Sequence, residues 1–91
     1  MGEYSVQSQR TAGYDKLLEM LRETRELRGV SQRELSKQLG QDFTYMFKIE
    51  RGVRRVDVVE LIQICLQLGI SPTEFVANLA DAILKIGLEE T

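Results

Sequence analysis

One glycine constrains this chain more than any other residue. In SQRELSKQLGQDFTYMFKIERG, residues 31–52, two short helical patterns meet at Gly40. Glycine adopts positive φ without a Cβ clash, so the backbone can reverse there within a few residues. A connection that short forces the two helices to cross steeply. The apolar positions fit such a crossing: Leu35 and Leu39 share one face of helix two, and Met46 and Ile49 share one face of helix three. Ser36 faces the same crossing, where a bulkier side chain would push the helices apart. With Met46 and Ile49 inward, Phe43, Thr44, Phe47, Lys48 and Arg51 point outward. Phe43 and Phe47 are four residues apart and lie on one face. An exposed aromatic pair marks a binding surface. The competing arrangement buries both rings, and it requires a rotated helix that exposes Met46 and Ile49.

The rest of the chain reads as further helices separated by glycine stops. Residues 1–13 show no periodicity and are expected to form a flexible arm. Tyr14, Leu17, Leu18 and Leu21 follow helical spacing in a first helix ending at Arg28, with Leu27 at the end of its face and Gly29 as its left-handed cap. SQRE is a capping box that opens helix two at Ser31, and helix two ends at Leu39. Asp42 caps helix three, expected to run to about Arg51, and Gly52 closes it. DVVE and SPTE are two more capping boxes. They open helix four (from Asp57 through Leu68) and helix five (from Pro72 to about Ile86). Five helices and no strand signal predict an all-α five-helix bundle, with one domain over residues 14–91.

Composition narrows the chemistry. The chain has 91 residues, room for one core and not two. It has one cysteine and no histidine, so an intrachain disulfide is impossible and a zinc site lacks ligands. Cys65 lies in ELIQICLQLG, an apolar context that predicts a buried small hydrophobe. Enzymatic activity is not expected: no base accompanies the cysteine, no paired carboxylates stand out, and no glycine loop cradles a phosphate. No cofactor, metal or membrane partner is expected either. The longest apolar runs are too short to span a bilayer, and a cytoplasmic location is the default.

The net charge of −2 hides a split. Residues 22–55 hold nine Lys/Arg against five Asp/Glu, a local +4 that leaves −6 for the remainder. Charge segregated in this way offers one basic face to a polyanion. Arg22 has no motif around it and reads as solvated.

SQRELSKQLG, the MFKIERG that follows, and VRRVDVVELIQICLQLGISPTEF together resemble the helix-turn-helix domain of the Xre type, the class of the Cro and lambda-like repressors. The resemblance covers roughly residues 14–76. It implies a lambda-repressor-like, DNA-binding regulator of transcription, such as a repressor, whose third helix (42–51) enters the major groove of double-stranded DNA. Gln32, Phe43, Thr44, Phe47 and Lys48 are then the candidates for base edges. Ser31, Arg33, Tyr45, Arg51, Arg54 and Arg55 are the candidates for phosphate, the first two beside the free amides at the start of helix two. The resemblance also implies that Arg25 of helix one pairs with Glu50 as a structural clamp. The sequence departs from the family at Phe43, often glutamine there, and at Phe47, often small or polar. A phenylalanine reads no hydrogen bond; it contacts a thymine methyl or a protein.

The segment VANLADAILK is similar to the last helix of restriction-modification controller proteins, which dimerise through it. Phe75, Leu79, Ile83 and Ile86 form one stripe at helical spacing, widened by Val76, Ala80 and Leu84. A stripe this broad exceeds what a small domain covers, so a homodimer interface through Phe75, Leu79, Ile83 and Ile86 is expected. Two-fold symmetry would set two third helices about 34 Å apart, one turn of a palindromic duplex. The alternative from another class is a protein-interaction module, an antitoxin or adaptor, that inserts Phe43 and Phe47 into an apolar groove.

Overall fold

Local capping sets most of the helix boundaries. The computed structural model describes residues 11–90, and five helices follow one another there: α1 Ala12–Leu27, α2 Gln32–Gln38, α3 Tyr45–Glu50, α4 Val58–Gln67 and α5 Pro72–Glu90. The capping boxes at Ser31 and Asp57 are both fully formed, each cap side chain accepting from the N3 amide and each N3 glutamate accepting from the cap amide. At the start of α5 the Ser71 hydroxyl accepts from the Glu74 amide at 3.1 Å.

Three boundaries differ from expectation. Thr11 caps α1 by accepting from the Tyr14 amide, so α1 begins at Ala12 rather than Tyr14. The remainder of the expected arm, residues 1–10, lies outside the described residues. At its other end the chain stays helical to Glu90, past the expected stop at Ile86, because Gly87 does not enter the left-handed region taken by Gly29, Gly40, Gly52 and Gly69. The third helix is shorter than 42–51: the Asp42 carbonyl accepts from the Tyr45 amide, a tight turn that delays regular helix to Tyr45.

α1 packs against α3 and α5, α2 against α3, and α4 against α5. Their shared core is Leu17, Leu18 and Leu21 of α1, Leu35 of α2, Tyr45, Met46 and Ile49 of α3, Leu61, Ile64, Cys65 and Leu68 around α4, and Phe75 of α5. Cys65 is fully buried, and burial pushes its thiol up. Leu27 does not join this core: it is 87% exposed at the last residue of α1. Among the described residues no helix is long and apolar enough to cross a membrane.

Between Gln38 and Tyr45 the chain reverses through Gly40, whose φ is 72°. A Cβ at Gly40 would meet nothing within 4 Å, so backbone conformation alone makes glycine necessary there. The reversal lets α2 and α3 close on Leu35, Met46 and Ile49, all three fully buried.

Candidate nucleic-acid interface

The start of α3 is held by side chains because its first amides lack helical partners. The Thr44 amide donates to Asp42 Oδ1 at 2.8 Å, and the Thr44 hydroxyl donates to the same oxygen. These bonds from Thr44 hold the Asp42 carboxyl below the usual carboxylate range. The Met46 amide donates across the crossing to Ser36 Oγ at 2.9 Å. Ser36 in turn donates to the Gln32 carbonyl at 2.8 Å and is fully buried. Ser36 is thus more than a small residue that permits the crossing. Its hydroxyl ties the first turn of α2 to the first turn of α3. A lone small polar residue inside the apolar face of Leu35 and Leu39 was the sequence signal for this role.

The far end of α3 is clamped to α1. Arg25 Nε and Nη2 donate to the two Glu50 carboxylate oxygens at 2.7 and 3.0 Å, and Arg25 Nη1 donates to the Val30 carbonyl at 2.9 Å. The bond to Glu50 holds the guanidinium firmly protonated. Both side chains are nearly buried, at 9% and 5% exposure, so loss of either partner would strand a charge. That loss costs about 3–5 kcal/mol. Gln32 completes the cluster by donating from Nε2 to Glu50 Oε1 at 2.7 Å.

With both ends fixed, α3 presents a defined outer face. Phe43 and Phe47 are 54% and 44% exposed while Met46 and Ile49 are fully buried, so the helix is not rotated to hide the rings. The Arg33 guanidinium lies 4.5 Å from the Phe43 ring centre, and that of Arg51 lies 5.5 Å from Phe47. Lys48 is exposed on the same short helix, and Ser31, Arg51 and Arg55 are also exposed.

Several candidates stand differently from expectation. Gln32 is held toward the domain, because one of its two amide hydrogens is engaged by Glu50. The Thr44 hydroxyl proton is likewise engaged, by Asp42. Tyr45 is not a surface phosphate contact: its ring is 6% exposed within the core, since α3 turns it inward beside Met46, and burial pushes its phenol up. Arg54 lies over the Tyr45 ring at 4.9 Å and donates to both Glu60 carboxylate oxygens at 3.1 and 2.8 Å. The Arg54 bond holds the Glu60 carboxyl below its ordinary value. Arg55 lies 4.1 Å from the Tyr14 ring, and the Tyr14 hydroxyl accepts from the Val56 amide at 3.1 Å. These contacts dock the basic connection after α3 onto α1, and no local sequence pattern marks pairs so far apart in the chain.

The dimer candidates also divide. Phe75 is 5% exposed inside its own domain, and Leu79 packs partly buried on the same core. Both therefore face inward and do not form an outer surface. Ile86 is half-buried along a concavity lined by Ala12, Asp15, Lys16 and Glu19 of α1. Ile83 is 45% exposed but also approaches α1, where a Cβ added at Gly13 would lie 3.3 Å from its Cγ1. The outer face of α5 instead carries Val76, Ala80, Leu84 and Leu88, four residues apart in sequence. Val76, Leu84 and Leu88 are 44%, 64% and 66% exposed. The stripe was too broad to divide by sequence, because two adjacent apolar faces merge when the packing partner is unknown.

Among the described residues no cluster of histidine, cysteine, aspartate or glutamate is arranged to hold a metal ion.

A family model described as helix-turn-helix matches residues 21–75. That span contains α2, α3 and α4 entire. No curated protein matches the chain in sequence. A solved structure described as an XRE-family like protein from Pseudomonas syringae pv. tomato str. DC3000 is similar to this chain with 34% sequence identity. The superposition has a TM-score of 0.75 and covers 78% of this chain and 87% of that one.

Proposed function

This chain belongs to the Xre-type helix-turn-helix family, and on that premise we propose that it is a homodimeric, sequence-specific regulator of transcription that places α3 in the major groove of a palindromic operator. One observation carries the reading: α3 is pinned by Ser36 at its start and by Arg25 and Glu50 at its end, yet its outer face is left open. A short helix so held is pre-organised for a rigid partner, and little ordering cost remains on binding.

The basic segment around it supports the same partner. Arg33, Lys37, Lys48, Arg51 and Arg55 are exposed around the α2–α3 unit, and neutralising phosphates with such groups releases counterions. The acidic remainder would face away from the duplex and limit non-specific wrapping. The dimer runs through the outer stripe of α5, with Val76, Ala80, Leu84 and Leu88 in place of Phe75 and Leu79. A cytoplasmic regulator with no cofactor is the form this takes.

The second reading, a protein-interaction module, rests on the exposed Phe43 and Phe47. An arginine stacked on each ring favours the polyanion instead, because a cation at the rim of an apolar plug would have to be desolvated on entering a protein groove.

Selection from a random duplex pool, followed by titration across salt, tests the proposal. The expected result is one palindromic sequence bound at least a hundredfold tighter than random duplex, with affinity falling steeply with salt, as is usual for such interfaces. Binding that never exceeds random duplex overturns it. Retained affinity for a protein partner under those conditions would favour the interaction module.

A further inference from the structure

Two of the hydrogen-bonding side chains best placed to read bases are occupied within the domain. Gln32 Nε2 donates to Glu50, and the Thr44 hydroxyl donates to Asp42. Reading adenine takes a donor and an acceptor from one side chain; Thr44 has no donor to give, and Gln32 has spent one of its two N–H groups on Glu50, which turns its amide toward the domain. What α3 and the turn before it do offer is two exposed phenyl rings, Phe43 and Phe47, each with a guanidinium laid against it. Among the described residues neither Arg33 nor Arg51 is drawn into an ion pair, whereas Arg25 and Arg54 are each held by a glutamate.

A phenyl edge is complementary to a 5-methyl group in the major groove, and a guanidinium is complementary to the O6 and N7 acceptors of guanine. The guanidinium lies 4.5 Å from the ring centre in one pair and 5.5 Å in the other, near enough for ring and cation to meet neighbouring base pairs, and the cation–π contact orients the arginine before binding. We propose that Phe43 with Arg33, and Phe47 with Arg51, are two composite readers, each recognising a 5-methylpyrimidine next to a guanine. This deepens the function proposed above and rests on it. It reassigns Arg33 and Arg51 from the phosphate backbone to base edges.

The test uses the full chain and the operator obtained by selection. Thymines within each half-site are replaced one at a time by deoxyuridine, which removes a methyl and nothing else. A parallel set replaces the same pairs by C·G with and without a 5-methyl on cytosine, which separates the two natural sources of the methyl. At two thymines adjacent to guanine in each half-site, one for each reader, the methyl is expected to tighten binding about three- to tenfold, the effect of one buried methyl. In Phe43→Ala or Phe47→Ala the effect at the matching position disappears, so that the variant binds thymine and uracil duplexes alike. Both rings are exposed, and circular dichroism of the variants should match the parent. Methyl sensitivity in the thymine set alone keeps the proposal and assigns the methyl to thymine. A specific operator that is indifferent to every methyl overturns this inference and leaves the regulator reading standing. Selection that yields no preferred sequence overturns both.

Discussion

Ser36 shows how much one hydroxyl can carry in a crossing this tight. Its oxygen accepts the Met46 amide and its proton goes to the Gln32 carbonyl, both inside a core that excludes water. Ser36→Ala keeps the volume nearly unchanged but leaves the buried Met46 amide unpaired. We expect urea unfolding to show a loss of about 1–3 kcal/mol, a large fraction of the stability of a domain this small. Serine is restored in function by no apolar residue, so Ser36→Cys should recover little of the loss. Glu60 gives a second residue-scale expectation, in pH. Arg54 holds the folded-state carboxyl below its ordinary value of 4.5, so the pair stabilises the fold at pH above that value. That contribution is lost as pH falls through the depressed folded value. Thermal midpoints measured from pH 7 to pH 3 should therefore decline less steeply in Glu60→Gln than in the parent, from a lower starting point at pH 7.

At the scale of elements, the α2–α3 unit is a reversal followed by two clamps. Gly40 at φ 72° makes the reversal, and the open space around it means that a side chain there is penalised by backbone conformation alone. Gly40→Ala is expected to cost about 1–2 kcal/mol in chemical denaturation, and Gly40→Asn less, because asparagine tolerates the left-handed region. Equal losses for the two variants would point to a steric cause instead. The glycine was evident from the sequence, as were Leu35, Met46 and Ile49 beneath it, because helical spacing depends only on local order. The start of α3 was not. Asp42 reads as the cap of this helix, but Thr44 stands at the N-cap, the Asp42 carboxylate holds the turn before it, and the Met46 amide finds its partner in α2.

For the whole molecule, α5 serves two roles on two faces. Its inner face is part of the core through Phe75 and Leu79, and its outer face is apolar and exposed at Val76 and Leu84 among the described residues. The proposed dimer predicts opposite behaviour for substitutions on the two faces. Leu84→Glu should leave circular dichroism and the unfolding midpoint unchanged while sedimentation shifts from dimer to monomer, and operator affinity should drop with loss of the second half-site. Phe75→Ala should cost about 3–5 kcal/mol and unfold the domain before it changes assembly. A monomeric parent protein at micromolar concentration would rule out this arrangement.

What could be read before any coordinates were known is local in origin: the all-α class, the capping boxes at Ser31 and Asp57, the turn at Gly40 and the inward Met46 and Ile49. Each follows from backbone preferences and spacing within a turn or two of helix. The partners of Gln32 and Arg54, the inward turn of Tyr45, the division of the α5 stripe and the Arg33 stack on Phe43 belong to the assembled fold. A side chain's hydrogen bond or burial is settled by which surface lies opposite it. In this chain that surface usually comes from another helix.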